Sequence, residues 1–279
     1  MQSAVEVQRL LGAVRSVQVL VMGRDQAEIV RKHTYPLYTV FDGKHGIDGS
    51  SVLVASAEKF YLLTARHVGI ESGRTKLFGD GEQPLFDDFL TLPESIDVSI
   101  ATIQRPEFFI DNGFDFLQLD RWGINIDVRP REVEPQYLVL GYPYTKTRRE
   151  VVGRKSNPMP FALWTRLYGQ EEHNLLQCTS FTHLALQYLP DKLYDEELAE
   201  YRQAPDLRGM SGGGIWDTAG QEPVLVGLLI EQRPSAKPLS LIATRIDAIS
   251  EVLRNIGDAS IPMSRRLSAE VNVEQTPAQ

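Results

Sequence analysis

The chain has 279 residues, a formal net charge of −8, 42% hydrophobic and 24% charged residues. Those proportions suit a globular protein of one or two domains with a real apolar core. The acidic balance argues against a nucleic-acid binder, which needs clustered Lys and Arg against phosphate, and the single cysteine, Cys178, excludes an internal disulfide and a Cys-x-x-Cys zinc site.

The opening MQSAVEVQRLLGAVRS lacks the basic start, unbroken apolar stretch and cleavage site of a secretory signal. The longest apolar runs, such as 224–230, are too short to cross a bilayer. A soluble chain in the cytoplasm is therefore expected, with no membrane partner. Residues 1–34 read as an N-terminal extension. Leu10, Leu11, Val14 and Val17 recur at helical spacing, which predicts a helix over about 4–16, with a strand over 17–22.

From Tyr35 the pattern changes to short strand-like runs. They lie at 35–41, at 51–55 after the turn signal Asp48-Gly49, at 60–63, 98–103, 137–140, 175–179, 224–230 and 239–243. Many short strands divided by turn residues predict an all-β barrel or sandwich. Two helices interrupt them. Residues 191–203 are strong helix formers with no β-branched residue. Residues 246–256 carry apolar side chains at Ile246, Ile249, Val252, Leu253 and Ile256, one helical face, ended by Gly257. The polar stretch 258–279 reads as a disordered tail.

The sharpest chemical signal is Leu207-Arg208-Gly209-Met210-Ser211-Gly212-Gly213-Gly214. Acyl transfer needs backbone N–H groups aimed at the oxygen of a tetrahedral intermediate, beside a nucleophile. A loop of this composition can supply them from Gly209 and Ser211. A plain glycine-rich loop, or a phosphate cradle, is the alternative, although the Gly-Lys-Ser/Thr ending of a phosphate loop is missing. A serine hydroxyl needs a base. Of His33, His45, His67, His173 and His183, His67 follows the predicted strand FYLLTA and so stands on a rigid edge. An exposed loop histidine is the bland reading of it. The base needs an orienting carboxylate, and Asp97 heads the apolar run VSIATI. Burying such a carboxylate unpaired costs several kcal/mol; the alternative is an aspartate that merely starts the strand.

Taken together, the chain resembles the trypsin/chymotrypsin-like serine peptidase family. LLTARHV is similar to its Leu-Thr-Ala-Ala-His segment, IDVSIATI to its Asp-Ile-Ala-Leu segment, and GMSGGG to its Gly-Asp-Ser-Gly-Gly-Pro segment, in the same chain order. LVLGYP looks like the strand opening a second barrel, and VLVGL like the strand after the nucleophile loop. The resemblance covers roughly 35–250. It implies two six-stranded antiparallel β-barrels with a C-terminal helix: barrel one about 35–130, barrel two about 131–245 and the helix at 246–256. It also implies a triad of His67 as base, Asp97 as orienter and Ser211 as nucleophile, with the N–H groups of Gly209 and Ser211 as oxyanion hole.

Some positions depart from the family. Val68 stands where secreted members carry a disulfide cysteine, in keeping with a bacterial intracellular type. Met210 replaces the aspartate that pairs with a freshly cut N-terminus, so activation by that ion pair is not expected. Gly214 stands where proline is common, and Ile230 replaces a serine that supports the triad carboxylate. By family position the specificity pocket involves Pro205, beside Asp206, with Leu228 and Ile230. Asp206 in the pocket would favour Arg or Lys; Pro205, Leu228 and Ile230 would favour apolar side chains.

The carboxylates Asp191, Asp195, Glu196, Glu197 and Glu200 read as a solvated helix face, or as an acidic lid recruiting basic substrates or a regulator. Cys178 reads as a buried structural thiol in a strand. The expected function is a regulated, narrowly specific serine endopeptidase with a protein or peptide substrate, a regulatory protein partner, no nucleic-acid partner, no metal and no cofactor. A latent protease-like binding module and an esterase using the same triad are the alternatives. An α/β-hydrolase is disfavoured, because its histidine follows the serine and a helix follows its nucleophile.

Overall fold

A computed structural model describes residues 18–19, 24–41, 44–57, 59–72, 85–126, 137–146, 148–149, 156–157, 159–195, 200–233, 239–265 and 267. Strand β1 (Gln18–Val19) and helix α1 (Arg24–Arg31) lead into β2 (Thr34–Phe41), β3 (Lys44–Ala55) and β4 (Phe60–Ala65). Helix α2 (Arg66–Ser72), β5 (Leu90–Thr91), β6 (Val98–Thr102) and α3 (Pro106–Asp111) follow. Next come β7 (Tyr137–Gly141), β8 (Arg148–Arg149), β9 (Ser156–Asn157), β10 (Phe161–Thr165), α4 (Gln170–Leu175) and β11 (His183–Gln187). The chain continues through β12 (Leu193–Asp195), β13 (Glu200–Arg202), β14 (Gly214–Asp217), β15 (Val224–Arg233), β16 (Ser240–Arg245) and helix α5 (Ile246–Asn255).

The all-β expectation holds: two antiparallel sheets dominate. The first has the order β2-β3-β4-β6-β5, the second β10-β7-β14-β15-β16-β11. The edges of the second sheet meet just past β10, where the Gln187 N–H donates to the Arg166 carbonyl at 2.9 Å and the Tyr168 N–H to the Ala185 carbonyl at 2.8 Å. Beside the first sheet, Leu117 runs along β3, donating to the Leu53 carbonyl at 2.9 Å and accepting from the Ala55 N–H at 2.8 Å.

Strand β7 shows how the core forms. Its side chains alternate between two faces. Tyr137 and Val139 join Leu163, Leu186, Val226 and Leu229 in an apolar cluster inside the second sheet. Leu138 and Leu140 join Trp216 and Leu228 in a larger cluster that continues into Leu53, Leu62 and Val98 of the first sheet. With both faces covered, the unbroken apolar run YLVLG is what such a strand requires. Each buried Leu or Val contributes about 1.5–3 kcal/mol over its exposed state.

Several expectations are corrected. Asp48-Gly49 is not a turn but lies inside β3, where the register shifts: Leu37 pairs with Gly49 and Tyr38 with Ile47. A Cβ on Gly49 would stand 2.4 Å from Val68 Cγ1, so this glycine marks a close approach to α2. Residues 175–179 are not a strand; α4 ends at Leu175, and half-buried Cys178 sits in the loop after it, its N–H donating to the His173 carbonyl at 3.1 Å. Where a helix was expected at 191–203, Leu193–Asp195 and Glu200–Arg202 are instead paired antiparallel strands, with Tyr194 opposite Tyr201 and β1 paired parallel to β12, and residues 196–199 lie outside the described residues. Strand pairing overrides a local helix propensity worth only tenths of a kcal/mol per residue.

Helix α5 forms as predicted, and Gly257 follows it at φ 105°. Residues 258–264, expected as part of a disordered tail, are packed instead. Tyr61 donates its hydroxyl to Asp258 Oδ2 at 2.7 Å, Ile261 is buried, and Ser264 Oγ donates to Asp247 Oδ1 at 3.1 Å. The segment before Tyr35 also packs: Val30 of α1 is part of the larger cluster. The helix expected over 4–16 and the tail over 268–279 lie outside the described residues. Among the described residues no helix is long and apolar enough to cross a membrane.

Candidate active site

Strand β4 delivers His67 to the surface one residue into α2, where it is exposed. The pairing of Ala65 with Val98 brings the start of β6 beside it. The Arg66 N–H then donates to the Asp97 carbonyl at 3.0 Å. Asp97 holds a left-handed backbone at φ 51°, which aspartate tolerates better than most residues, and its N–H donates to the Pro93 carbonyl at 2.9 Å. Thr244 of β16, from the second sheet, donates its hydroxyl to the adjacent Ile96 carbonyl. Burial pushes the half-buried Asp97 carboxyl above its ordinary value, while His67 and then Arg66 pull it back down. The acid is thus electrostatically coupled to the imidazole.

Ser211 lies in the loop between β13 and β14, and it lines a cleft of about 780 Å³ together with His67. Among the described residues no direct hydrogen bond joins His67 to Asp97 or Ser211. In substrate-free sites such bonds are often long and tighten in the complex.

The backbone of this loop can be accounted for group by group. The Arg208 carbonyl accepts from the Tyr144 N–H at 2.7 Å, the Met210 carbonyl from the Gly213 N–H at 2.9 Å, and the Ser211 carbonyl from the Ser50 N–H at 2.8 Å. The Gly209 carbonyl accepts from Ser50 Oγ at 2.8 Å. On the donor side, the Arg208 N–H bonds Asp206 Oδ1 at 3.0 Å. The Met210 N–H bonds the Leu207 carbonyl at 2.9 Å and the Gly212 N–H the Leu229 carbonyl at 2.6 Å. Among the described residues, the Gly209 and Ser211 N–H groups are left without an intramolecular partner.

Gly212 makes this path possible: its φ is 87°, and a Cβ there would stand 2.0 Å from the Ser50 carbonyl oxygen. Met210 is fully buried in the inner cluster of the second sheet and anchors the loop there.

Of the expected pocket residues, Pro205, Asp206 and Ile230 line the cleft. Leu228 does not; it is fully buried in the cluster between the sheets. Leu228 and Ile230 share one face of β15 and both join that cluster, with Leu229 on the other face, and Ile230, still buried, also borders the cleft. The register shift follows Leu229, which pairs with Ala243, while Glu231 pairs with Ile242. Tyr188, Pro190, Leu207 and Leu239 add apolar wall. Both acids on that wall already have cations. Arg208 Nε reaches Asp206 Oδ2 at 2.6 Å and holds the Asp206 carboxyl below its ordinary value. Arg233 Nε reaches Glu231 Oε2 at 2.8 Å.

His33, His173 and His183 do not line that cleft. His33 is buried against the Asp115 carbonyl at 3.1 Å, and burial lowers its pKa. His173 is buried with Nδ1 2.9 Å from the Gly169 carbonyl, and His183 sits on β11 beside the Thr182 hydroxyl. His45 lies in β3, with its side chain outside the described residues. Ser50 and Thr244 were not foreseen as site residues. Their partners come from the opposite sheet, and no local motif announces them.

A scan against models of protein families gives no match for the chain, and a search of curated proteins gives none either.

Proposed function

We propose that the chain is a serine endopeptidase with a chymotrypsin-like pair of six-stranded barrels, acting on a protein or peptide substrate in the cytoplasm. The joined edges of the second sheet, and the Leu117 segment beside β3, support the barrel reading. In this reading Ser211 Oγ attacks the peptide carbonyl and forms a C–O bond. His67 takes the hydroxyl proton and returns it to the leaving amine as the C–N bond breaks. Asp97 orients the imidazole and stabilises its charged form. Water then releases the acyl group by the same route. The observation that carries the proposal is the loop accounting: the N–H groups of Gly209 and Ser211 are left over beside the serine. Each donor of this kind contributes about 10²–10³ in kcat.

The test is labelling by a fluorophosphonate probe together with cleavage of a peptide library. The native chain should label and cleave, and Ser211→Ala and His67→Ala should do neither. Cleavage of esters alone would replace the peptidase reading with an esterase.

A further inference from the structure

We infer that Ser50, a residue of the first sheet, is a positioning residue that holds the oxyanion loop of the second sheet in its working shape. The inference rests on the peptidase reading above and adds to it how the loop is ordered without a cleavage-generated ion pair.

Ser50 is fully buried, and each of its polar atoms is committed. Its Oγ accepts from the Tyr142 N–H at 2.8 Å. A hydroxyl has one proton to give, and here it goes to the Gly209 carbonyl at 2.8 Å. The Ser50 N–H holds the Ser211 carbonyl at 2.8 Å. Its own carbonyl accepts from Thr64 Oγ1 at 2.7 Å, which fixes Ser50 to β4, the strand that leads to His67.

Ser50 therefore grips the two peptide groups on either side of the one that bears the Ser211 N–H. A peptide group is a rigid plane, so rotating it swings its carbonyl and its N–H together. With its neighbours pinned, the peptide between Met210 and Ser211 has little freedom to turn its N–H away. The Tyr144 N–H holds the Arg208 carbonyl at 2.7 Å, which lies on the same peptide group as the Gly209 N–H. Replacing Ser50 by alanine removes the hydroxyl alone. It leaves the Gly209 carbonyl and the Tyr142 N–H without their partner, and the loop then gains alternative orientations. The loss should fall on the transition state, because the two N–H groups matter most to the oxygen that becomes charged.

The experiment compares the native chain, Ser50→Ala, Ser50→Cys and Ser51→Ala by amide hydrogen exchange over 207–213 and by steady-state peptide cleavage. Ser51 is the control: it is equally buried, but its hydroxyl donates to the Tyr35 carbonyl at 2.9 Å, away from the loop. Ser50→Ala should speed exchange at Gly212 and Gly213 and lower kcat about 10–100-fold, less than outright loss of one donor, with KM nearly unchanged. Ser50→Cys keeps a weaker donor and should fall between, which also covers an alanine variant that fails to fold. Ser51→Ala should leave the loop exchange and kcat as they are. Equal exchange and equal kcat in the Ser50 and Ser51 variants would overturn the inference. A native chain that neither labels nor cleaves would overturn the peptidase reading instead, and the exchange data would still decide whether Ser50 holds the loop.

Discussion

Adding a single methyl group at Gly212 tests how tightly the two sheets close on the nucleophile loop. The backbone there has φ 87°, and a Cβ would meet the Ser50 carbonyl oxygen at 2.0 Å and Thr64 Oγ1 at 2.3 Å. Left-handed backbone costs a non-glycine residue about 1–2 kcal/mol. Overpacking against atoms that cannot move aside costs about 1–3 kcal/mol more. Ser50 cannot retreat without releasing its bonds to the Gly209 and Ser211 carbonyls, each worth about 1 kcal/mol. Gly212→Ala should therefore lose about 4–7 kcal/mol, a large part of the 5–15 kcal/mol typical of a domain. Gly257→Ala separates the contributions: φ is 105° there, but nothing lies within 4 Å of the added Cβ. It should lose only the backbone share, about 1–2 kcal/mol. Urea unfolding of both variants gives the difference, and fluorophosphonate labelling of the folded fraction gives the effect on the site. Equal stabilities for the two variants, within about 0.5 kcal/mol, would refute a rigid clasp between Ser50 and the loop.

Asp97→Asn should separate stability from activity. Burial holds the Asp97 carboxyl above its ordinary 3.8, so the stability its native site lends is present below that pH and lost as pH rises through the raised value. The asparagine variant should match or exceed the native chain in urea at pH 7, converge with it in acid, and lose about 10⁴ in kcat; a clear loss of stability at pH 7 would contradict this. Arg208→Ala should uncover the Asp206 carboxylate. A native preference for apolar over Lys or Arg side chains should then shift towards the cations about fivefold in kcat/KM, in line with an exposed charge pair. An unchanged preference would place the binding pocket away from Asp206.

The candidate site was legible where its signals were local. His67 follows a strand run, Ser211 sits among glycines, and Asp97 heads an apolar strand; the structure sets the first two on one cleft and couples the third to His67. What escaped the sequence depends on partners distant along the chain. Ser50 follows a dipeptide that reads as a turn, yet Gly49 is there because α2 passes close by. Residues 191–203 hold helix formers, but their pairing partners, one another and β1, are invisible to a local propensity. The run at 175–179 was too short for periodicity to separate a strand from the end of a helix. Leu228 was expected in the pocket by family position, yet it is fully buried between the sheets, while its same-face neighbour Ile230 borders the cleft.

Two loops of the candidate site are each carried by one sheet and fastened by the other. The nucleophile loop belongs to the second sheet and is held by Ser50 of the first. The loop before Asp97 belongs to the first sheet, and Thr244 of the second holds it at Ile96. The shape of the site is therefore set by how the sheets meet, not by either sheet alone. Buried Asp247 of α5 pairs with Arg245 at 3.1 Å and accepts from the Asn125 N–H at 3.0 Å and from Ser264 Oγ at 3.1 Å, which ties α5 to β16 and to the segments at 125 and 264. Losing one member of a buried ion pair costs about 3–5 kcal/mol, far more than an exposed pair contributes. A small displacement of one sheet against the other would release both loops together while leaving the hydrogen bonds within each sheet intact. Under the peptidase proposal, control needs no contact with His67, Asp97 or Ser211; it needs only a purchase on the junction.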